Sequence, residues 1–92
     1  MISSDVKFRV SSNQVSSNLA GSTVILNHKD GLYYELNEVG TFIWDLLKSE
    51  GATKEDLKIA VTNEFEIEEE KAVDDINHLL NDLKNEKLVE II

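Results

Sequence analysis

Two histidines, three serine pairs and a run of carboxylates are the residues of this 92-residue sequence whose types could do chemistry. His28 and His78 stand far apart, and neither belongs to a spacing that builds a metal site or a hydrolytic triad. Both read as surface histidines. Ser3-Ser4, Ser11-Ser12 and Ser16-Ser17 have no base nearby in sequence to activate a hydroxyl. The carboxylates from Glu64 to Asp75 lack the Asp-x-Asp-x-Asp-Gly loop that converges oxygens on Ca²⁺. They read instead as a solvated helix start, where negative charge complements the helix dipole. The glycines are isolated, so nothing cradles a phosphate, and without cysteine there is no disulfide, thiolate ligand or thiol nucleophile. The residues therefore lead to an expectation of no catalytic group, no metal and no cofactor: not an enzyme.

Binding is the remaining class, and charge narrows it. Nine Lys plus Arg against eighteen Asp plus Glu leaves a net charge of −9. Phosphate backbones and anionic membranes both repel such a chain, so neither nucleic acid nor membrane is expected as a partner. The imbalance is uneven. Residues 1–34 carry three cations against two acids, and residues 35–92 carry six against sixteen. A hydrophobic fraction of 41% with 29% charged residues is that of an ordinary globular domain, and the expectation is one domain spanning 1–92. No stretch approaches the ~18 uninterrupted apolar residues of a membrane span. Met1 to Asp5 shows no basic end followed by an apolar run, so no secretory signal is expected and the location expected is cytoplasmic.

The elements follow from hydrophobic period. Residues 1–14 read as an irregular lead-in, with a short extended piece around Phe8 to Val10. Val15–Leu19 alternates weakly, Thr23–Leu26 is a β-branched run, and Leu32–Leu36 is a further strand. His28-Lys29-Asp30-Gly31 supplies the turn between the last two, and Gly21 the turn before, giving a three-stranded antiparallel meander. Asn37 is a good N-cap for a first helix whose stripe is Val39, Phe42, Ile43, Leu46 and Leu47. Trp44 lies off that stripe and reads as packing against the sheet or the terminal segment. Thr53 with Asp56 forms a capping box with Asp in place of Glu, and opens a second helix with Leu57, Ala60 and Val61 inward. Glu68–Glu70 begin a third, whose apolar side is Ala72, Val73, Ile76, Leu79, Leu80 and Leu83. The apolar end, Leu88–Ile92, is expected to dock as an extended segment. The fold class expected is α+β: a three-stranded antiparallel sheet followed by three helices, winged helix-turn-helix-like.

That arrangement raises DNA binding, and a winged-helix transcription regulator is the alternative function. The third helix argues against it, with Glu68, Glu69, Glu70, Asp74, Asp75 and Asp82 against Lys71 and Lys84. A short meander also has a last strand with a free edge, to which an extended peptide can add through main-chain hydrogen bonds.

Val24-Ile25-Leu26-Asn27, Gly31-Leu32-Tyr33-Tyr34-Glu35-Leu36-Asn37-Glu38-Val39-Gly40, Phe42-Ile43-Trp44 and Leu46-Leu47 resemble the PqqD-like family. Thr53–Val61 and Asp75-Ile76, Leu79-Leu80, Leu83 and Leu88 extend the resemblance over about residues 15 to 92. It implies a RiPP recognition element, a non-catalytic domain that binds the leader of a ribosomal precursor peptide and presents the core to maturation enzymes. The partners implied are that leader and a protease, cyclase or radical enzyme. Members serve coenzyme PQQ synthesis or lasso-peptide pathways. The PQQ subgroup usually carries Pro-Glu-Gly where this sequence has Lys29-Asp30-Gly31, so the resemblance points to a lasso-type pathway, with a PQQ peptide chaperone as the alternative.

In the family the leader lies between the third strand and the third helix. Carried over, the peptide-binding residues are Leu32, Tyr33, Tyr34 and Glu35 on the strand, and Val73, Asp75, Ile76 and Leu80 on the helix. Asp75 matches an acidic family position and would cap a backbone N–H or meet a basic leader residue. The helix residues admit two readings: all of its apolar side is core, or Val73, Ile76 and Leu80 border the cleft. Tyr33 and Tyr34 point to opposite faces, and Tyr34, on the face of Leu36, is expected to be the more buried.

Overall fold

The computed structural model describes residues 6–12, 14–19, 21–27 and 31–92. Strand β1 (Lys7–Val10) precedes β2 (Gln14–Leu19), β3 (Ser22–Asn27) and β4 (Leu32–Leu36). Helix α1 (Glu38–Ser49), the two-residue strand β5 (Ala52–Thr53), α2 (Lys54–Glu64), α3 (Glu69–Asn85) and β6 (Val89–Ile91) follow. Strands β2, β3 and β4 form the expected antiparallel meander, with Ile25 opposite Tyr34 and Thr23 opposite Leu36. Alternation along β3 turns Thr23, Ile25 and Asn27 into the interior. The Gly31 amide donates to the Asn27 carbonyl at 2.8 Å and closes the β3–β4 hairpin. Residues 28–30, to which the turn and the surface position of His28 are assigned, lie outside the described residues.

A second antiparallel sheet, in the order β5-β1-β6, has no counterpart in the sequence reading. The short extended piece expected around Phe8 to Val10, within the stretch read as an irregular lead-in, is its central strand: Phe8 pairs with both Ala52 and Ile91, and Val10 with Val89. These partners are far away along the chain, so no local turn signal announces them. The expected docking of the apolar end is the same event seen from the other side. Leu88 and Val89 are buried, and the Ile92 amide donates to the Lys7 carbonyl at 2.9 Å. The α+β class holds, with a meander followed by three helices and the second sheet formed from segments before, between and after them.

Helix α1 starts hard against β4. The Asn37 side chain accepts from the Gly40 amide at 2.9 Å, capping the helix. A Cβ on Gly40 would come within 3.2 Å of the Leu36 Cβ, so glycine is what lets the first turn approach the strand. The buried face of α1 is Gly40, Thr41, Ile43, Trp44 and Leu47, while Val39, Phe42 and Leu46 are only half-buried. The expected stripe is therefore displaced by about a quarter of a turn. Contacts explain the displacement: α1 packs on β1, β3 and α2 together, and Phe42 turns aside to meet Phe65 edge-to-face at 5.4 Å.

Helix α2 carries the expected capping box, Asp56 amide to Thr53 hydroxyl at 3.0 Å and Thr53 amide to Asp56 carboxylate at 3.1 Å. Before it, Gly51 has φ +79°, and a Cβ there would sit 2.9 Å from the Phe8 carbonyl oxygen of β1. Helix α3 ends in a Schellman motif: Lys87, at φ 59°, donates to the Lys84 carbonyl, and Leu88 donates to that of Leu83. This turn delivers Leu88 into the core and starts β6.

Trp44, 1% exposed, is the largest side chain of the shared core, beside Ile25, Leu47 and Leu57. Truncating Trp44→Ala removes that burial and leaves a cavity, so the unfolding free energy should fall by about 3–5 kcal/mol. Urea denaturation followed by circular dichroism measures the change, and an unchanged midpoint would contradict this packing.

Candidate functional site

Strand β4 pairs with β3 alone, so its other edge is unpaired among the described residues. Along it lies a cleft of about 400 Å³, with Tyr34 and Glu35 of β4 on one wall and Asp75, Leu79 and Asp82 of α3 on the other. Val39 and Gly40, at the start of α1, close one end. Two polar contacts fasten α3 to the β3–β4 hairpin: the Tyr34 hydroxyl of the cleft wall donates to the Asp82 carboxylate at 3.1 Å, and the Asn27 side-chain amide donates to the Glu86 carbonyl at 3.0 Å. Of the charged lining groups, Glu35, Asp75 and Asp82 oppose Lys71, which reaches Asp75 at 3.4 Å; the lining is net −2 with His78 neutral. An extended peptide in this cleft would meet an unpaired strand edge, apolar surface at Val39 and Leu79, and carboxylates suited to basic side chains.

The residues singled out from sequence divide between two places. Leu32 opens β4 opposite Asn27, Tyr33 is 74% exposed, and Glu35 is exposed on the cleft wall. Tyr34 is half-buried, the more enclosed of the two rings. Asp75 lies on the cleft wall with Tyr34 and Glu35, whereas Tyr33 is not among the lining groups. Val73, Ile76 and Leu80 do not border this cleft. Ile76 and Leu80 are 2% exposed in the core, and all three line a different groove, on the flank of α3 turned away from β4. The expectation that they sit beside the strand is corrected by the rotation of α3, whose stripe Ala72, Ile76, Leu80 and Leu83 points into the core and separates two flanks. Sequence reasoning missed Leu79 and Asp82 as cleft residues. Asp75, Leu79 and Asp82 share one flank at i, i+4, i+7, a spacing that joins them without saying which flank meets the strand. His78 is exposed as expected, its Nδ1 2.9 Å from the Asp74 carbonyl. Among the described residues no group of three His, Asp or Glu is placed to hold a metal ion, and no helix is long and apolar enough to cross a membrane.

The sequence model of coenzyme PQQ synthesis protein D (PqqD) matches residues 22–89. The chain belongs to the PqqD family. Two solved structures have the same fold as this PqqD-family chain. TbiB1 in complex with the TbiA(beta) leader peptide is 30% identical with a TM-score of 0.80, over 89% of this chain and 94% of that one. A lasso peptide synthetase B1 complexed with the leader peptide is 25% identical with a TM-score of 0.78, over 90% and 96% respectively. No curated protein matches the sequence.

In this PqqD-family chain the Leu-Asn-x-x-Gly segment of the resemblance has a physical basis. Leu36 packs under Gly40, and Asn37 caps it, so the segment holds α1 at the end of the cleft. Tyr34 is the titratable lock between β4 and α3. Burial, the hydrogen bond to Asp82 and the charges of Asp82 and Glu86 push its phenol up to about 12. A pKa raised on folding means the folded state holds the proton more tightly. Its contribution is thus complete below pH 10 and is lost as pH rises through about 12. Ultraviolet titration should show a tyrosine ionising near pH 12 that disappears in Tyr34→Phe, and the variant should lose up to about 1 kcal/mol at neutral pH. The same high-pH step persisting in the variant would contradict the assignment.

Proposed function

We propose that this chain is a RiPP recognition element of a lasso-type pathway, which binds the leader of a ribosomal precursor peptide and presents it to a maturation enzyme. The leader adds as a strand to β4 and lies in the cleft against α3. The observation that carries the reading is the unpaired edge of β4 running beside the α3 cleft, in a fold shared with two proteins solved with leader peptides. Main-chain hydrogen bonds from Leu32–Leu36 supply affinity that is indifferent to sequence. Specificity comes from Tyr33, Tyr34 and Glu35 on the strand and from Asp75, Leu79 and Asp82 on the helix. The chain itself performs no reaction, and it works in the cytoplasm, where precursor peptides are made.

Titrating the isotope-labelled chain with the leader of a precursor peptide of its own pathway tests this reading. NMR amide shifts should spread over Gly31–Asn37 and Asp75–Asp82. Asp75→Ala should weaken binding about tenfold while barely moving the melting temperature, because its carboxylate is half-exposed and, among the described residues, paired only with Lys71 at 3.4 Å. The ionic part of the affinity should fade with salt and the apolar part persist. Shifts confined to Glu50–Thr53 would sink the reading.

A further inference from the structure

The flank of α3 turned away from β4 carries a second and larger groove, of about 850 Å³, between α2, α3 and the β1–β6 pair. Its floor is apolar. Phe8, Ile76 and Leu80 are buried beneath Val73 and Ile91, which remain 36% and 49% exposed. Its rim is basic: Lys54, Lys58 and Lys84 against Glu55 and Glu69, a net of +1. That sign is opposite to the chain as a whole, at −9, and to the β4–α3 cleft, at −2. Both rim glutamates are engaged by Lys58, at 3.1 and 3.3 Å. Among the described residues no ion pair engages Lys54 or Lys84, so two ammonium groups face outward beside exposed apolar surface.

We propose that this groove docks an acidic, apolar segment of the maturation enzyme while the leader occupies the cleft on the other flank of α3. The inference rests on the leader-binding reading and adds to it a second site and the chemistry of its occupant. Apolar side chains of the partner fill the groove over Val73 and Ile91, and its carboxylates meet Lys54 and Lys84. An acidic partner is repelled by most of this surface, so the basic rim is where its approach is favoured. Because the two sites lie on separate flanks of one helix, filling one leaves the other open. The bound peptide is thereby held within reach of the enzyme that processes it, at a raised effective concentration.

The test is calorimetry of the purified full chain against the purified maturation protease of its own pathway, with and without saturating leader. Val73→Glu and Lys84→Glu change exposed groove positions and leave the core intact. Each should weaken protease docking at least tenfold, keep leader affinity within twofold and leave the melting temperature near that of the unaltered chain. Lys84→Arg should dock normally. Docking should also weaken as salt rises. Unaltered docking by both Glu variants, competition between leader and protease, or no docking to the unaltered chain would each overturn the proposal. So would light scattering that shows a dimer converted to monomer by Val73→Glu, since the occupant would then be a second copy. Failure of the leader to bind at all would instead strike the parent reading.

Discussion

Helix α3 is fastened at its C-terminal end to both sheets, and this seating determines what each of its flanks can do. Tyr34 reaches Asp82, and Asn27 reaches the Glu86 carbonyl, which binds the helix to the β3–β4 hairpin. One turn later the Schellman motif swings Leu88 into the core, and the Ser11 hydroxyl and amide meet the Lys87 and Leu88 carbonyls at 2.8 and 2.9 Å. With its rotation set in this way, the stripe of Ala72, Ile76, Leu80 and Leu83 has one direction to face, the core. Asp75, Leu79 and Asp82 then look towards β4, and Val73 and Lys84 look away from it.

A strand edge left unpaired is ordinarily a hazard, because its free amides and carbonyls template aggregation. Here α3 stands beside the edge of β4, and the carboxylates of Glu35, Asp75 and Asp82 surround the approach. An incoming chain has to be narrow, extended and tolerant of negative charge. Those are the properties of a peptide leader with basic residues and not of a second acidic sheet. The same geometry disfavours nucleic acid, since the helix that would enter a groove presents carboxylates along its cleft flank.

Much of this was legible in the sequence where the information is local. The meander, the Asn37 cap, the Thr53–Asp56 box and the docking of Leu88–Ile92 each follow from a few adjacent residues, and each is present. What escaped depends on distant partners. The β5-β1-β6 sheet joins segments too far apart for any turn signal. The rotation of α1, which leaves Val39 and Leu46 half-buried and lets Phe42 lean on Phe65, is decided by three neighbours at once, whereas the packing of Trp44 is as expected. For the site, β4 and Asp75 were legible, but the amphipathic pattern of α3 is symmetric about its core stripe. Nothing in the spacing alone says which flank meets the strand, and Val73, Ile76 and Leu80 belong to the other one. The Tyr34–Asp82 contact resolves that symmetry.

The most direct test of strand addition is hydrogen exchange at single-amide resolution, with and without the leader peptide. Among the described residues, amides on the outer edge of β4 have no partner strand. Strand addition pairs every second one. Alternate amides across Leu32–Leu36 should therefore gain protection in the complex, while the outer edge of β2 exchanges as before. Protection gained along β2, or on the helices with β4 unchanged, would contradict the account.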